Sequence, residues 1–281
     1  MALPDDFNLD DFARHVLAED LGSGGDLTSK ETIDEDARFT AEMNARQALV
    51  VAGIEIAAAF FRSLDPKVEI EQLVKDGELV EHGATLLRLA GNARSMLAAE
   101  RSALNAIQHL SGIATLTRRY VDAINGTGAI LLDTRKTIPG LRLLEKFGCR
   151  MGGAQNHRMR LDDGILIKDN HVAVCGGVAE AVRRAKEANT GLPVQVEVDR
   201  IDQIEPALAA GADRLLLDNM DPARLRQAVQ LVGGRVPLEA SGGVTLETIR
   251  FLAETGVTFI SVGRITQSAP AVDIGLDYSI G

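Results

Sequence analysis

The sequence is poor in aromatic residues and in cysteine. Its 281 residues include 8 Phe, 2 Tyr, no Trp and 2 Cys. With so few aromatic side chains, the core must consist mainly of Ala, Val, Ile and Leu, which suits helices packed closely on a sheet. Two cysteines in a chain of this length exclude a disulfide-stabilised scaffold and favour a reducing compartment. We therefore expect a cytoplasmic protein.

The sequence also lacks long apolar runs and a surplus of positive charge. No run approaches the roughly 20 apolar residues that a membrane-spanning helix needs. The first residues, MALPDDFNLDDF, are acidic and do not resemble a signal peptide. The net charge is −10, from 40 acidic and 30 basic residues, which disfavours binding of nucleic acid through a positive surface. We expect neither a membrane nor a nucleic acid as partner.

The second half of the chain alternates short apolar runs with helical stretches. The helical stretches have apolar residues at intervals of three and four, and they span residues 178–188, 201–210, 222–232 and 246–254. The short runs are rich in Leu or β-branched residues and are predicted strands: Ala129–Leu132, Ile165–Ile167, Val194–Val198, Leu215–Leu217, Val236–Leu238 and Phe259–Val262. This alternation predicts an α/β fold with a parallel sheet, either open or closed into a barrel.

Polar residues at the ends of these strands favour the barrel. They follow nearly every predicted strand, at 133–136, 168–169, 197–199, 218–219, 239–241 and 263–264. In a barrel the carboxyl ends of all strands meet at one mouth, where enzymes of this fold place their active sites. An open sheet would concentrate ligands at one switch point instead. Because only six strands are clear, we expect an incomplete barrel.

The first 112 residues have a different pattern. Short predicted strands surround a helical stretch, and a long helical segment begins near residue 93; the strands are 39–43, 48–51, 68–74 and 85–89, and the helix is 54–64. We predict an N-terminal α/β sandwich domain at residues 1–112 and a barrel domain at residues 113–267. The C-terminal tail, residues 268–281, is expected to pack with the sandwich.

Charge is unevenly distributed along the chain. Residues 133–171 contain eight basic and five acidic residues, whereas the rest of the chain has 22 basic and 35 acidic residues. A cationic segment at the mouth of an acidic protein favours a small anionic ligand. Arginine binds planar carboxylates through two parallel hydrogen bonds, and lysine is a compact charge for phosphate, so a mixture of both favours substrates that carry both groups.

The basic residues of this segment form two groups. Four flank predicted strands or loops, where an unpaired cation is costly, and are candidates for ligand binding: Arg135, Lys136, Arg158 and Lys168. Three others have helical spacing and are expected on the solvated face of one helix: Arg142, Lys146 and Arg150.

Acidic and glycine-rich segments occupy the remaining strand ends. Glu197, Asp218 and Glu239 indicate either a Mg²⁺-chelated ligand or sugar hydroxyls, or else structural ion pairs with the cations. The Ser241–Gly243 segment and Gly263 lie where barrel enzymes bind phosphate through backbone N–H groups, although plain tight turns would also use glycine. No His or Cys cluster has metal-ligand spacing, so we expect no metal held by the protein alone.

Longer motifs carry a family resemblance. The run LLDTRKTIPGLRLLEKFGCRMGGAQNHRMRLDDGILIKDNH, with VQVEVD, LLLDNM, LEASGGV and ISVGRIT, resembles the quinolinate phosphoribosyltransferase family. The similarity extends to AEDLGSGGDLTS and ERSALNAIQHLSGIAT near the start, so it covers nearly the whole chain. It implies an N-terminal α/β sandwich and an incomplete, seven-stranded α/β barrel. It also implies a homodimer in which the sandwich of one subunit caps the barrel mouth of the other.

The resemblance implies a pentosyltransferase reaction of NAD biosynthesis. Phosphoribosyl pyrophosphate and quinolinate, with Mg²⁺, would give nicotinate mononucleotide, pyrophosphate and CO2. The family's quinolinate-binding residues correspond to Arg101, Arg135, His157, Arg158 and Lys168, and Arg101 would reach the neighbouring subunit's site.

The other substrate has its own set of implied residues. Lys136 would hold the pyrophosphate side, while Glu197 and Asp218 would address the ribose hydroxyls and the Mg²⁺ that accompanies phosphoribosyl pyrophosphate. The 5′-phosphate would lie against Ser241, Gly242, Gly243 and Gly263, and Thr134 and Arg264 complete the expected substrate-binding set. The expected catalytic residues are Lys136, Lys168, Glu197 and Asp218.

Two alternatives stay open at this point. A nicotinate-using phosphoribosyltransferase or a paralogue outside NAD biosynthesis would bind a monocarboxylate, which needs fewer cations than the sequence supplies. A non-catalytic anion sensor would keep the fold. Such proteins usually lose a charged strand-end residue, and none is missing here.

Overall fold

The computed structural model describes residues 3–279. The chain forms two compact units, the first of Met1–Thr117, Leu143–Gly153 and Ser268–Gly281, the second of Arg118–Arg142 and Ala154–Gln267. The domain division expected after residues 112 and 267 stays a prediction, and its terminal residues 1, 2, 280 and 281 lie outside the described part. Between residues 3 and 279, no helix combines the length and the apolar character needed to cross a bilayer.

The strands and helices are numbered in chain order. The strands are β1 Arg38–Ala45, β2 Leu49–Val50, β3 Glu69–Gln72, β4 Leu79–Val80, β5 Thr85–Asn92, β6 Ile130–Leu132, β7 Ile165–Ile167, β8 Val194–Val198, β9 Arg214–Asp218, β10 Leu238–Ser241, β11 Phe259–Ser261 and β12 Ile274–Ser279. The helices are α1 Leu9–Leu21, α2 Leu27–Thr32, α3 Ile54–Leu64, α4 Ala93–Ala123, α5 Arg142–Met151, α6 Asp169–Cys175, α7 Val178–Glu187, α8 Ile204–Ala209, α9 Pro222–Val232, α10 Ile249–Ala253 and α11 Arg264–Gln267.

The first unit is built on an antiparallel sheet with strand order β12-β1-β5-β3. The C-terminal strand β12 pairs with β1, so that Ile274 lies opposite Ala45. Helix α3 begins at Ile54, as its apolar spacing predicts, because Asp76 accepts hydrogen bonds from the N–H groups of Gly53 and Ile54 at 2.7 and 3.0 Å. Its buried apolar side chains form much of the core of this unit.

Helix α5 shows where the sequence pattern misleads. The expectation that Lys146 lies on a solvated face is wrong, since both Lys146 and its neighbour Glu145 are fully buried. The whole stretch from Leu144 to Cys149 is buried, so this helix has no free face over that length. Glu145 is paired with the Nε2 of His109 at 2.9 Å. A charged residue survives in such a place only with polar partners, which sequence spacing does not reveal.

The second unit contains a parallel sheet with strand order β6-β11-β10-β9-β8-β7. A further parallel bridge joins Leu132 of β6 to Gln155, which adds a seventh position beside β6. The predicted strands Ile165–Ile167 and Val194–Val198 are confirmed residue for residue. The predicted strand Val236–Leu238 instead begins at Leu238 and ends at Ser241, because Pro237 has no N–H to contribute to the ladder.

Candidate active site

A cavity of about 800 Å³ opens at the carboxyl ends of the parallel strands. Residues at or just beyond the end of every strand of the sheet line it: Thr134, Arg135 and Lys136 after β6, Lys168 after β7, Glu197 on β8, Asp218 on β9, Ser241, Gly242 and Gly243 at β10, and Gly263 and Arg264 after β11. The outermost strands of the sheet, β6 and β7, thus contribute to the same cavity. The sheet is therefore rolled into an incomplete α/β barrel, which confirms the predicted fold.

Strand alternation determines which side chains reach this mouth. On β8, Val194, Val196 and Val198 are buried on one face, while Gln195 and Glu197 belong to the opposite face. Glu197 lines the cavity, and Gln195 lies one layer deeper, where it contacts a buried carboxylate. The strand therefore stabilises the fold with one face and forms the site with the other.

Arg135, Arg158 and Lys168 form what we call the cationic side of the mouth. The Nη1 of Arg158 donates a hydrogen bond to the Gly164 carbonyl at 2.8 Å. Burial lowers the pKa of Arg158, and the charge of Arg135 lowers it further. The Nε of Arg135 is buried without a hydrogen-bond partner among residues 3–279. Two neighbouring guanidinium groups with an unsatisfied buried donor call for an anionic ligand.

A buried carboxylate holds the segment that carries Arg158. Asp133, at the end of β6, is fully buried, and its Oδ1 accepts the backbone N–H of His157 at 2.8 Å. Its Oδ2 accepts a hydrogen bond from the side chain of Asn156. The two contacts fix residues 156–158 against β6. The strand end thereby positions the cationic side without exposing Asp133 to a ligand.

His157 lies at the floor of the mouth beside Glu239. Its Nε2 is 3.5 Å from the Oε2 of Glu239, and its Nδ1 accepts the N–H of Arg158 at 2.8 Å. Glu239 is fully buried and accepts a hydrogen bond from Gln195 at 2.8 Å. Burial raises the pKa of Glu239, but the hydrogen bonds from His157 and Gln195 outweigh it, so the pKa is lowered and the carboxylate stays ionised.

Glu197 and Asp218 form the acidic side of the mouth, next to the cationic side in strand order. Burial and the charge of Asp218 raise the pKa of Glu197, while Lys168 opposes the rise. Burial also raises the pKa of Asp218, which a hydrogen bond from Asn219 opposes. Two half-buried carboxylates, each with a raised pKa, favour the approach of a positive charge.

Glycine-rich turns follow β10 and β11 and line the mouth beside the acidic side. We call these turns, Ser241–Gly243 and Gly263, the phosphate loops. Gly242 has φ 96°, and a Cβ there would lie 2.1 Å from the Oδ1 of Asn219. A Cβ at Gly263 would lie 2.8 Å from the Cδ of Lys136. The turns therefore come closer to the side chains of Asn219 and Lys136 than a residue larger than glycine would allow.

Arg101 is absent from the cavity lining. It lies on α4 in the first unit, where its side chain is exposed and forms no ion pair with any residue between 3 and 279. Every other residue expected at the site from the sequence lines the mouth, while the role of each stays a prediction.

Several residues of the mouth were missed from the sequence. Thr245, Ser261 and Gln267 line the cavity without having been expected there, and Asn219, which was noted only as a polar strand end, lines it as well. Ser261 could have been found from alternation on β11, because it lies in register with Leu132 at a strand end. Asn219 gave no signal of its own beyond following Asp218. Among residues 3–279, no group of three or more His, Cys, Asp or Glu side chains is placed to hold a metal ion.

The chain matches family models along nearly its whole length. Residues 26–111 match the model described as quinolinate phosphoribosyl transferase, N-terminal domain. Residues 113–277 match the model described as quinolinate phosphoribosyl transferase, C-terminal domain. The boundary between the two matches falls within the long helix α4.

Individual proteins are similar over the same length. The nicotinate-nucleotide pyrophosphorylase [carboxylating] of Mycobacterium leprae is 42% identical over 275 residues, covering 95% of this chain and 96% of that protein. The probable nicotinate-nucleotide pyrophosphorylase [carboxylating] of Bacillus subtilis is 41% identical over 267 residues, with 95% and 92% covered. The solved structure of the nicotinate-nucleotide pyrophosphorylase from Francisella tularensis is 41% identical, with TM-score 0.94 and 99% and 98% of the two chains covered.

Proposed function

This chain belongs to the quinolinate phosphoribosyltransferase family, and we propose that the mouth of its barrel binds quinolinate on the cationic side and phosphoribosyl pyrophosphate between the acidic side and the phosphate loops. The reaction transfers the phosphoribosyl group of phosphoribosyl pyrophosphate to quinolinate and releases pyrophosphate and CO2. The product, nicotinate mononucleotide, is a precursor of NAD.

The observation that carries the assignment of quinolinate is a pair of neighbouring guanidinium groups, one of which has a buried donor without a partner among the described residues. Arg135 and Arg158 lie close enough for one charge to lower the pKa of the other, and the Nε of Arg135 is buried without a partner within the described residues. Quinolinate has two adjacent carboxylates, which match two guanidinium forks better than one carboxylate does. Lys168, exposed at the end of β7, supplies a third positive charge at the rim.

Phosphoribosyl pyrophosphate fits the rest of the ring. The phosphate loops offer backbone N–H groups to the 5′-phosphate, at the strand positions where barrels commonly bind phosphate. In this proposal, Glu197 and Asp218 accept hydrogen bonds from the ribose hydroxyls. Lys136 lies against Gly263, and its charge opposes the rise in the pKa of Asp218, so it is the lysine that we assign to the pyrophosphate.

Mg²⁺ fits the acidic side as a companion of the pyrophosphate. Glu197 and Asp218 provide the carboxylate oxygens that Mg²⁺ prefers. Burial and the charge of Asp218 raise the pKa of Glu197, and a nearby cation would lower this pKa again. Two carboxylates suit an ion whose other ligands come from phosphates and water. When bound, Mg²⁺ would neutralise charge on the leaving pyrophosphate.

The chain's residues act on the chemistry by position and charge. The pyridine nitrogen of quinolinate attacks the anomeric carbon of the ribose, a nitrogen–carbon bond forms, and the carbon–oxygen bond to pyrophosphate breaks with its electron pair leaving on oxygen. Positive charge develops on the ribose, where Glu197 and Asp218 stabilise it, and Lys136 stabilises the leaving group. The carbon–carbon bond to the 2-carboxylate then breaks. CO2 leaves, and its electron pair stays beside the cationic ring nitrogen until a solvent proton replaces the carboxylate.

Direct binding tests this division of the mouth. Titration calorimetry with quinolinate and with nicotinate, each without the second substrate, measures the contribution of the additional carboxylate. Loss of a charge-assisted pair is worth roughly 1.5–3 kcal/mol, so quinolinate is expected to bind at least about tenfold more tightly than nicotinate. Equal affinities would contradict a dicarboxylate site at Arg135 and Arg158 and would favour a nicotinate-using enzyme.

The homodimer and the cytoplasmic location complete the proposal. Arg101 is exposed on α4 of the first unit and forms no ion pair with the residues that the structure describes, which suits a residue that completes the site of a second copy. Neither Cys149 nor Cys175 forms a disulfide bond within residues 3–279, which suits a reducing compartment.

Subunit complementation tests the proposed role of Arg101. Arg101→Ala and Lys168→Ala variants are each expected to be nearly inactive, and neither should change the dimeric mass. Dissociated and reassembled together, they form heterodimers with one intact site, so about a quarter of wild-type activity should return. No recovery from mixtures shown to contain heterodimers would mean that Arg101 serves its own subunit's site or none.

A further inference from the structure

Asn219 adopts a backbone conformation that few side chains tolerate. Its φ is 53°, and Asn189 is the other non-glycine residue with positive φ in the described part of the chain. Asn189 follows the end of α7 and is exposed, which is an ordinary place for such a turn. Asn219 instead follows β9 directly and lines the mouth. Left-handed backbone at a non-glycine residue costs up to roughly 1–2 kcal/mol, so its presence at a site suggests a local use.

The contacts of Asn219 join two neighbouring strand ends. Its Nδ2 donates a hydrogen bond to the Oδ2 of Asp218 at 2.6 Å. Its backbone N–H donates to the carbonyl of Ser241, at the end of β10, at 2.9 Å. Its side chain lies against Gly242, where a Cβ would come within 2.1 Å of the Oδ1. One residue thereby touches the acidic side and a phosphate loop together.

These contacts constrain groups that bind different parts of one substrate. The hydrogen bond from Asn219 limits rotation of the Asp218 carboxylate. The contact with Gly242 limits the position of the Ser241–Gly243 turn. A ribose 5-phosphate moiety must meet both groups at a fixed separation, set by its own bonds. Fixing that separation in advance lowers the ordering cost of binding and of reaching the transition state.

We propose that Asn219 is a positioning residue that sets the carboxylate of Asp218 and the Ser241–Gly243 turn in the spacing required by the ribose 5-phosphate part of phosphoribosyl pyrophosphate. It acts through Asp218 and Gly242 and not by contact with the reacting atoms. The inference rests on the proposed placement of that substrate in the mouth. It adds that one side chain couples the Asp218 carboxylate to the Ser241–Gly243 turn, which the placement of the substrate alone does not require.

The variant that tests this is Asn219→Gly. Glycine accepts φ 53° without strain and keeps the N–H that bonds Ser241, so the fold should be retained and the Tm should stay equal or rise. The side-chain contacts with Asp218 and Gly242 are lost. We expect kcat/KM for phosphoribosyl pyrophosphate to fall about ten- to hundredfold, and the dissociation constant of quinolinate alone to stay unchanged. Asn189→Gly is the matched control, with the same chemical change at a similar φ, and should leave activity unchanged.

A second variant separates positioning from mere occupancy. Asn219→Asp keeps the volume and tolerates the same backbone, but replaces the donor to Asp218 with a repelling carboxylate. It should lose at least as much kcat/KM for phosphoribosyl pyrophosphate as the glycine variant does. Wild-type kinetics in either variant would overturn the proposal. So would a lowered Tm with equal losses for both substrates, since that pattern marks a structural role.

Calorimetry with phosphoribosyl pyrophosphate and Mg²⁺ keeps this test independent of turnover. Asn219→Gly should weaken that binding about fivefold or more relative to wild type. The loss in kcat/KM should be at least as large as this loss in binding. A wild-type protein that binds this ligand without turning over quinolinate would contradict the proposed function, while the binding difference between wild type and variant would still decide the role of Asn219. Equal binding of phosphoribosyl pyrophosphate by wild type and Asn219→Gly would overturn the proposed role of Asn219.

Discussion

The Nε2 of His157 lies 3.5 Å from the Oε2 of Glu239, a carboxylate with no exposed surface. The Nδ1 of the same ring accepts the N–H of Arg158. Both nitrogens are therefore occupied by the protein, and the ring links the floor of the barrel to the cationic side. Glu239 also lies 3.7 Å from Arg214, whose guanidinium stacks 3.6 Å above the ring of Phe259. Glu239, the second residue of β10, is thus part of an internal network as well as of the cavity lining.

Glu239→Ala is expected to destabilise the protein strongly. It leaves Arg214 without its carboxylate and His157 without the group that faces its Nε2, and removing one partner of a buried pair costs about 3–5 kcal/mol. Urea denaturation measures the change. Glu254→Ala removes an exposed carboxylate paired with Arg250, and should cost about 1 kcal/mol or less. Similar losses in the two variants would show that the internal network contributes no more than a surface pair.

Removal of single cations on the cationic side should abolish turnover without unfolding the protein. The backbone of Lys168, not its side chain, makes the local hydrogen bonds with His171 and Val172. Lys168→Ala and Arg135→Ala should each lower kcat/KM for quinolinate by about a hundredfold or more, because each removes a charge-assisted contact. Lys186→Ala, which removes an exposed lysine paired with Asp213, is the control and should stay active. Near-full activity with quinolinate in either site variant would make the site assignment wrong.

Glu197→Gln should lower the activity of the protein and raise its stability at neutral pH. Burial and the charge of Asp218 raise the pKa of Glu197, so the folded state binds more protons than the unfolded state between the ordinary and the raised value. The free energy of unfolding therefore decreases as pH rises through that interval. At neutral pH the variant should have a higher Tm than wild type, and the difference should vanish below the ordinary pKa of a glutamate. Its kcat should fall by about a hundredfold.

Glu205→Gln gives the opposite sign and serves as the control for Glu197→Gln. The hydrogen bond from Arg235 lowers the pKa of Glu205, so its ionised form stabilises the fold above the ordinary pKa and this contribution is lost in acid. The control variant should lose a little stability at neutral pH and keep its activity. If the Tm of Glu197→Gln were below that of wild type at neutral pH, the ionised carboxylate of Glu197 would not destabilise the folded state, and the account would be contradicted.

Gly242→Ala and Gly243→Ala should differ although the two positions are adjacent. Both have positive φ, 96° and 60°, and an alanine at either should cost roughly 1–2 kcal/mol of stability. A Cβ at Gly243 has open space, whereas one at Gly242 would lie 2.1 Å from the Oδ1 of Asn219 and displace it. We expect kcat/KM for phosphoribosyl pyrophosphate to fall at least tenfold further in Gly242→Ala. Equal kinetics in the two variants would show that the contact with Asn219 has no effect on binding.

The parallel barrel could be predicted because its signal is local and repeated. The strands of the second unit have polar residues at or just beyond their carboxyl ends, as in Ile165–Ile167 followed by Lys168, and most helices between them have regular spacing. Polar strand ends therefore indicated the mouth, and the residues at those ends line it.

What sequence reasoning missed depends on contacts between distant segments. Lys146 has the spacing of a solvated residue, yet it is fully buried within helix α5. Asn219 has no motif of its own, and its importance follows from the proximity of Ser241 and Gly242 on the next strand. In the sequence, Asp133 has the pattern of the other polar strand ends. In the structure it is buried and accepts hydrogen bonds from His157 and Asn156, so it holds the neighbouring segment in place. Such partners are set by the sheet order, which the sequence pattern leaves open.

The most direct test of the account is the release of pyrophosphate and CO2 by the purified protein with phosphoribosyl pyrophosphate and Mg²⁺, comparing quinolinate with nicotinate. With quinolinate, both products should appear in equal amounts, and nicotinate should support little or no release. Release with nicotinate and none with quinolinate would keep the fold and contradict the dicarboxylate site formed by Arg135 and Arg158.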